Sequence, residues 1–456
     1  MKLVSGAMVV VVVMVCVVSP QCISHNDTLP PPSTPDLTHI APFGVELFKL
    51  LYPAGATGNL FFSPYSIWNA LVLAYLGSAG TTRKQLEAAL RLNDPAGTLA
   101  EYRALDHLYE ERQATTSDYV IDLANRVYID QSFPLRQCVR KVLSKEVETL
   151  DFQQPGEAAA SINQLVNQTT RGKIPELVSA GDVAGVPMVL VNAAYFKGLW
   201  LNSFEPSNTV LEKFYSSPDQ EYSVPMMKFS GVFKAGDSVE LEASVLEMPY
   251  KGEVVSMFVL LPHNTVSEDA ANKGTKTGND AARISGGSAV GGGPTIGSGT
   301  YSNSGATYNS DSATLTPLNA MIRRLSANTL LAAISNLRKQ EVDLQFPKFK
   351  LEETLVDELP EALQREGIVD LFTPAANLST FDPSGQLFVK KGIHKAVVEV
   401  NEEGSEAAAA TALLVAFSFA PRPRQFKCNQ PFVFFIYDKQ TNNILFLGVY
   451  SKPRTN

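Results

Sequence analysis

Cysteine is scarce in this 456-residue chain: four residues, at 16, 22, 138 and 428. That is far too few for a fold held together by disulfides. Histidine is nearly as rare, with five residues, and no Cys or His pair has the close spacing of a zinc site. Gly-x-Ser-x-Gly and His-Glu-x-x-His are both missing, so the sequence offers no hydrolase elbow or metalloprotease helix, and the chain is read as no enzyme and as needing no cofactor or metal. Basic runs are missing too. With 38 Lys and Arg against 46 Asp and Glu, the net charge of −8 leaves no concentrated cationic surface for nucleic acid. Beyond the N-terminus no apolar run approaches the roughly 20 residues that span a bilayer, so no membrane partner is expected.

What is present begins with MKLVSGAMVVVVVMVCVVSPQC, where Lys2 precedes an apolar run from Ala7 to Val18 and then small or turn-forming residues. This predicts a secretory signal peptide over residues 1–24, cleaved near Cys22 to Ser24, and a secreted, extracellular mature chain. Cys16 and Cys22 then leave with the signal, and Cys138 and Cys428 remain; they could pair with each other, but two free thiols are expected. Secretion makes Asn26, Asn167 and Asn377 candidate glycan sites, each opening an Asn-x-Ser/Thr triplet.

Length alone would allow about three domains. Asn59 to Leu90 predicts two packed helices, the first started by Ser63-Pro64. LAEYRALDHLYEERQ reads as an exposed helix, IDLANRVYI as a strand, and LRQCVRKVLSKEVETL as an amphipathic helix. MVLVNAAYF is too apolar and β-branched for a sheet edge and is expected as a buried central strand, with VLEMPY and VVSMFVLLP extending its sheet. PFVFFIYDKQTNNILFLGVY is a hairpin turning over Asp438 to Asn443. Helices early and antiparallel strands late define an α+β class. Residues of about 267–316 are dense in Gly, Ser, Thr and Asn, which predicts a flexible surface insertion without a core, because no phosphate-loop spacing or strand-to-helix junction frames the glycines. His394 interrupts an apolar strand, as Asn192 does in VLVNAAYF. Buried polar groups on two central strands imply a shared hydrogen-bond network beneath the sheet.

These segments resemble one family, the serpins, from roughly Ala41 to Pro453. NLFFSPYSI, ANRVYI, INQLVNQTTRGKI, LVNAAYFKGLW, VPMMKF, FPKFKLE, HKAVVEVNEEGSEAAAAT and QPFVFFI each match the family pattern, in the family's order. The resemblance implies a single domain over residues 25–456 with three β-sheets, about nine helices and an exposed reactive-centre loop at about 402–426, offered as bait to a serine protease. The protease is trapped as a covalent acyl-enzyme while the loop inserts into the central sheet. It further implies a hinge from Gly404 through Ser405, Glu406, Ala407, Ala408, Ala409, Ala410 and Thr411. It implies a gating cluster of Ser63, Ser66, Asn192 and His394, and an entry site of Trp200, Lys348 and Glu402. Fourteen residues beyond Gly404 lies Ser418, which places the scissile bond at Ser418-Phe419 with Phe417 beside it. A chymotrypsin-, cathepsin G- or elastase-like target follows, and a trypsin-like one if Arg422 or Arg424 is used.

The residues permit such an insertion. In a strand, Ser405, Ala407, Ala409 and Thr411 would share the inward face, and all are small. Bulk forced between packed strands costs about 1 to 3 kcal/mol per site. The competing reading of the same stretch is an Ala-rich helix capped by Ser405. In heparin-activated members the helix matching LAEYRALDHLYEERQ is strongly basic, but here Glu101, Asp106, Glu110 and Glu111 outweigh Arg103 and Arg112, so heparin is not an expected partner. A monomer is expected. Trp68 replaces a usually small polar residue. Two functional readings stand: a protease inhibitor, and a non-inhibitory binding or carrier protein on the same scaffold, which tends to carry bulky, charged or Pro residues at the hinge.

Overall fold

A computed structural model describes residues 35, 37–263, 316–403 and 422–453. The signal segment, Asn26, the Gly/Ser-rich insertion up to residue 315, the hinge Gly404 to Thr411, and Phe417, Ser418 and Phe419 lie outside them. Among the described residues are ten α-helices and fourteen strands: β1 Leu60–Phe62, β2 Tyr119–Asp130, β3 Val147–Leu150, β4 Met188–Gly198, β5 Val210–Ser217, β6 Gln220–Ser238, β7 Ala243–Pro249, β8 Val255–Pro262, β9 Arg338–Pro347, β10 Phe349–Leu355, β11 Lys391–Val400, β12 Arg424–Lys427, β13 Phe432–Asp438 and β14 Asn443–Tyr450.

The strands form two hydrogen-bonded networks. One is a five-stranded sheet in the order β10-β11-β4-β2-β3; the other has nine strands, β1-β14-β13-β8-β7-β6-β9-β12 with β5 on β6. The second network contains two of the three sheets that the resemblance implies, made continuous by β6. That strand pairs β5 and β9 along its first part and β7 from Lys234 to Ser238. VLEMPY and VVSMFVLLP therefore form β7 and β8 of the nine-stranded network and do not extend the sheet of β4. A run of apolar residues fixes burial on both faces but carries no information about which sheet supplies the partner.

LRQCVRKVLSKEVETL also departs from expectation. Helix stops at Gln137–Val142, and Val147–Leu150 pairs in parallel with Val127 to Asp130 as an edge strand. The β-branched Val147 and Thr149 suit that ladder, and the exposed Ser144-Lys145 turn separates the two elements.

In β4 all but Lys197 are buried, because both sheet faces are covered. Met188, Leu190, Ala194 and Phe196 join the main core with the helix Pro64–Gly77, whereas Val189, Val191, Ala193 and Tyr195 pack with Ile162 and Val166 of the helix Pro155–Thr169. This is the period-2 alternation of a strand. By the same alternation Asn192, and His394 on β11, point toward the main core. Trp68 is wholly buried in the helix Pro64–Gly77, with its Nε1 3.4 Å from the Leu90 carbonyl and its ring edge-on to His39, so the fold accommodates it.

Candidate functional site

The centre of the five-stranded sheet is a seam between two parallel strands. β11 runs beside β4 from Lys391 opposite Val189 to Val398 opposite Phe196, and each is bordered on its other side by an antiparallel neighbour. The chain leaves β11 at Asn401, passes out of the described residues after Glu403 and returns at Arg422 to form β12 on the nine-stranded network.

One register level of the seam is polar. His394 stands opposite Asn192, and Asn192 opposite Asn125 of β2, so three polar side chains form a row across three adjacent strands. The His394 Nδ1–H donates to Asn192 Oδ1. The Asn192 amide donates to Asn125 Oδ1, to Ser66 Oγ at 2.7 Å and to the Ser66 carbonyl at 2.6 Å, while the Ser66 hydroxyl donates to Asn125 Oδ1 at 2.8 Å. Ser63 closes the network. Its hydroxyl accepts from the Ser66 N–H at 3.0 Å, capping the helix, and donates to the Leu445 carbonyl at 2.6 Å; its own N–H donates to His394 Nε2 at 3.0 Å. The structure thus brings Ser63, Ser66, Asn192 and His394 together, all fully or almost fully buried.

Because Nε2 must accept from a backbone N–H, the imidazole is fixed in its neutral Nδ1–H form. Burial pushes its pKa from 6.5 down to about 3. Asn125 is the member that sequence reading missed. Nothing in ANRVYI distinguishes it from a surface asparagine, and only the β2–β4 register places it in the row.

At the end of the seam, Trp200 stacks on Tyr250 with ring centroids 4.4 Å apart, and its Nε1–H donates to the Asn401 carbonyl at 2.9 Å. Lys348 donates to Glu402 Oε2 at 2.7 Å, and the Thr209 hydroxyl to Oε1 at 2.9 Å. Burial alone would raise the Glu402 carboxyl, but the Lys348 ammonium, a backbone donor and Thr209 together hold it below its usual value. The Trp200 and Phe204 N–H groups donate to the Glu403 and Glu402 carbonyls, each at 3.1 Å, and Lys197 pairs with Glu403. Trp200, Lys348 and Glu402 are therefore joined where the chain leaves β11. Thr209, Phe204 and Lys197 complete the site without a sequence signal of their own.

Of the two basic residues near the loop's end, Arg424 lies inside β12. Its guanidinium is bonded to both oxygens of Asp237 and to the Ser244 hydroxyl, and that contact lowers the Asp237 pKa. Arg422 is exposed and precedes the strand. On the helix Pro95–Thr115, Arg112 pairs with the buried Asp438 at 2.5 Å, and Arg103 donates to the Val142 carbonyl, so both cations are held against neighbouring elements. Asn167 and Asn377 are exposed.

The cysteines require a correction. Cys428 is a free buried thiol whose pKa burial raises well above its usual value, but Cys138 is disulfide-bonded. Two free thiols were expected, and Cys138 is not one of them. Among the described residues, no group of three or more His, Cys, Asp or Glu is arranged to hold a metal, and no helix is long and apolar enough to cross a membrane.

A seam of parallel strands with a buried polar row, an 18-residue excursion (404–421) beginning at its end, and a second network tied together by β6 define the class of protein. The family model described as serpin (serine protease inhibitor) matches residues 38–280 and 313–453, and the chain belongs to that family. It is 34% identical to leukocyte elastase inhibitor A of Rattus norvegicus over 418 residues, which span 90% of this chain and 97% of the relative. Leukocyte elastase inhibitor of Bos taurus is 33% identical over the same shares of the two chains. Among solved structures, uncleaved ovalbumin superposes with a TM-score of 0.71 at 24% identity, over 91% of this chain and 99% of that one, a likeness of fold. The fold is that of a serpin, and the chain is a serpin protease inhibitor.

Proposed function

We propose that this serpin is a secreted inhibitor that traps a chymotrypsin-, cathepsin G- or elastase-like serine protease by cleavage and insertion of its loop. The observation that carries this reading is the parallel pairing of β4 and β11, with the loop leaving the C-terminal end of β11. A loop folding back between them would run antiparallel to both. About ten new ladder residues, at roughly 0.5 to 1.5 kcal/mol of net hydrogen bonding each, would release on the order of 10 kcal/mol. That is comparable to the whole stability of a typical domain.

The protease serine would attack the carbonyl carbon of Ser418, or of Phe417 if the register is shifted by one. The peptide C–N bond breaks, the residue after it gains a free amino terminus, and the acyl ester remains on the protease. Small inward residues at the hinge let insertion proceed before water hydrolyses the ester. In this reading Ser63, Ser66, Asn125, Asn192 and His394 gate the seam, Trp200, Lys348 and Glu402 hold its entry, and the protein acts as a monomer without heparin. The elastase-like part of the target range is supported by the names of the relatives, and the aromatic bait residues by the pocket chemistry of chymotrypsin-like enzymes. The fixed Arg424 argues against a trypsin-like target.

The test is incubation with chymotrypsin, cathepsin G, elastase and trypsin. A denaturant-resistant complex with at least one of the first three is expected, along with a released C-terminal peptide beginning at Ser418 or Phe419. Cleavage by every protease with no complex would sink the proposal.

Secretion is supported by the signal-like N-terminus. We place the cleavage near Cys22 to Ser24. Intact-mass analysis of the secreted protein should find an N-terminus within residues 22–25. A secreted chain that keeps residues 1–18 would reject the cleavable signal. Asn26, Asn167 and Asn377 are proposed glycan sites, the last two because they are exposed.

A further inference from the structure

Between the helix Pro95–Thr115 and β2 lies a cavity of about 290 Å³, open on one side. It is separate from the bait loop. Three tyrosines line it, Tyr65, Tyr102 and Tyr109, all at least nine-tenths buried, with the Tyr65 and Tyr109 rings 5.3 Å apart and tilted by 53°. Two further lining side chains, Glu146 and Asn69, are 5% and 6% exposed, yet Glu146 Oε2 and Asn69 Oδ1 have no hydrogen-bond partner. Both are acceptors, and orphaned acceptors at this depth are costly unless something donates to them. A carboxylate and an amide oxygen in an aromatic enclosure ask for a donor that also carries positive charge.

The surrounding charge agrees in sign. Four carboxylates line the cavity, those of Asp106, Glu110, Asp122 and Glu146, against two cations, Arg126 and Lys145. Lys145 is spent at the mouth on Glu110 at 3.8 Å, and Asp122 is paired with Arg171 at 3.2 Å from outside. Arg103 and Arg126 attract the Glu146 charge but do not hydrogen-bond Oε2. Burial raises the carboxyl pKa of Glu146, and the attraction of Arg103 and Arg126 does not reverse that shift. Tyrosine faces add attraction for an organic cation that they do not offer a neutral ligand.

We propose that this cavity binds a small organic cation, an ammonium on a short aliphatic or aromatic stem, with the ammonium donating to Glu146 and Asn69 and the stem lying against the three tyrosine rings. The volume is at the lower end for ligand pockets, which limits the occupant to a single small molecule.

The experiment is calorimetric titration of the full-length protein with tyramine and agmatine, with tyrosol as the neutral counterpart of tyramine. Saturable binding of at least one amine is expected, and none of tyrosol. Glu146→Gln, which keeps the shape and removes the charge, should weaken amine binding about tenfold or more. Asp106→Asn, at the exposed mouth, provides a second variant that leaves the interior packing untouched and should weaken binding less. Failure of both amines to bind, equal binding of tyrosol, or unchanged affinity in a folded Glu146→Gln protein would each overturn the proposal.

Discussion

Replacing Ala409 with arginine is expected to turn the protein from an inhibitor into a substrate: the target still cleaves the loop, but the fraction of encounters ending in a stable complex falls more than about tenfold. Residue 409 would lie on the inward face of the inserted strand. That face of the five-stranded sheet meets the main core, where β4 presents Leu190, Ala194 and Phe196 and the helix Pro64–Gly77 is packed against them. A guanidinium placed there has no counter-charge prepared for it, and burying an unpaired charge costs several kcal/mol even after relaxation. Such a cost consumes a large share of the roughly 10 kcal/mol released by the new ladder bonds. Insertion then slows while hydrolysis of the ester does not. Ala409→Ser, small and uncharged, should inhibit like the parent. Stoichiometric titration of the protease with parent and both variants measures the effect, and undiminished trapping by the arginine variant would show that the loop does not insert through this face.

Acidification is expected to loosen the seam through His394. Its pKa is about 3 in the folded protein and about 6.5 when exposed. A cation depressed in this way contributes stability in full above about pH 6.5, and loses it as the pH falls toward 3, because the unfolded or opened chain takes up the proton first. At pH 5 the loss amounts to about 2 kcal/mol. The raised carboxyls of Glu101, Asp106, Asp122, Glu146 and Glu366 act in the opposite direction, since protonation relieves their buried charge. They are common to any His394 variant, so comparison removes them. His394→Gln should be less stable than the parent at pH 7.5, and the difference in denaturation midpoint should shrink steadily to pH 5. Parallel pH profiles for the two proteins would mean that the imidazole does not control the seam.

The elements most legible in the sequence were those whose physics is local. Ser63-Pro64 announces a helix start because a capping hydroxyl and a pre-set φ are properties of two adjacent residues. The β13–β14 hairpin is visible because its turn is short. The run Met188 to Phe196 must be buried on both faces because every residue in it is apolar or tightly bonded. Register is not local. It decides that Asn125 joins the polar row, that β7 and β8 belong with β13 rather than with β4, and that Val147 to Leu150 finds a strand to pair with. The state of Cys138 is not local either, since it depends on a partner that the neighbouring residues do not name. Glu402 with Lys348 was legible only through family resemblance, and the side chains that complete that site, Thr209 and Phe204, lie on a segment with no motif.

Ser63 carries a consequence for how long the protein keeps its working form. The same residue starts a helix, anchors it to β14 and presents an N–H to the imidazole on β11. Fraying of the first helical turn therefore loosens the contacts of one residue with both strands. Under the proposed mechanism those contacts would hold the seam shut, so the inhibitor would keep its unspent form for as long as that first turn stays wound.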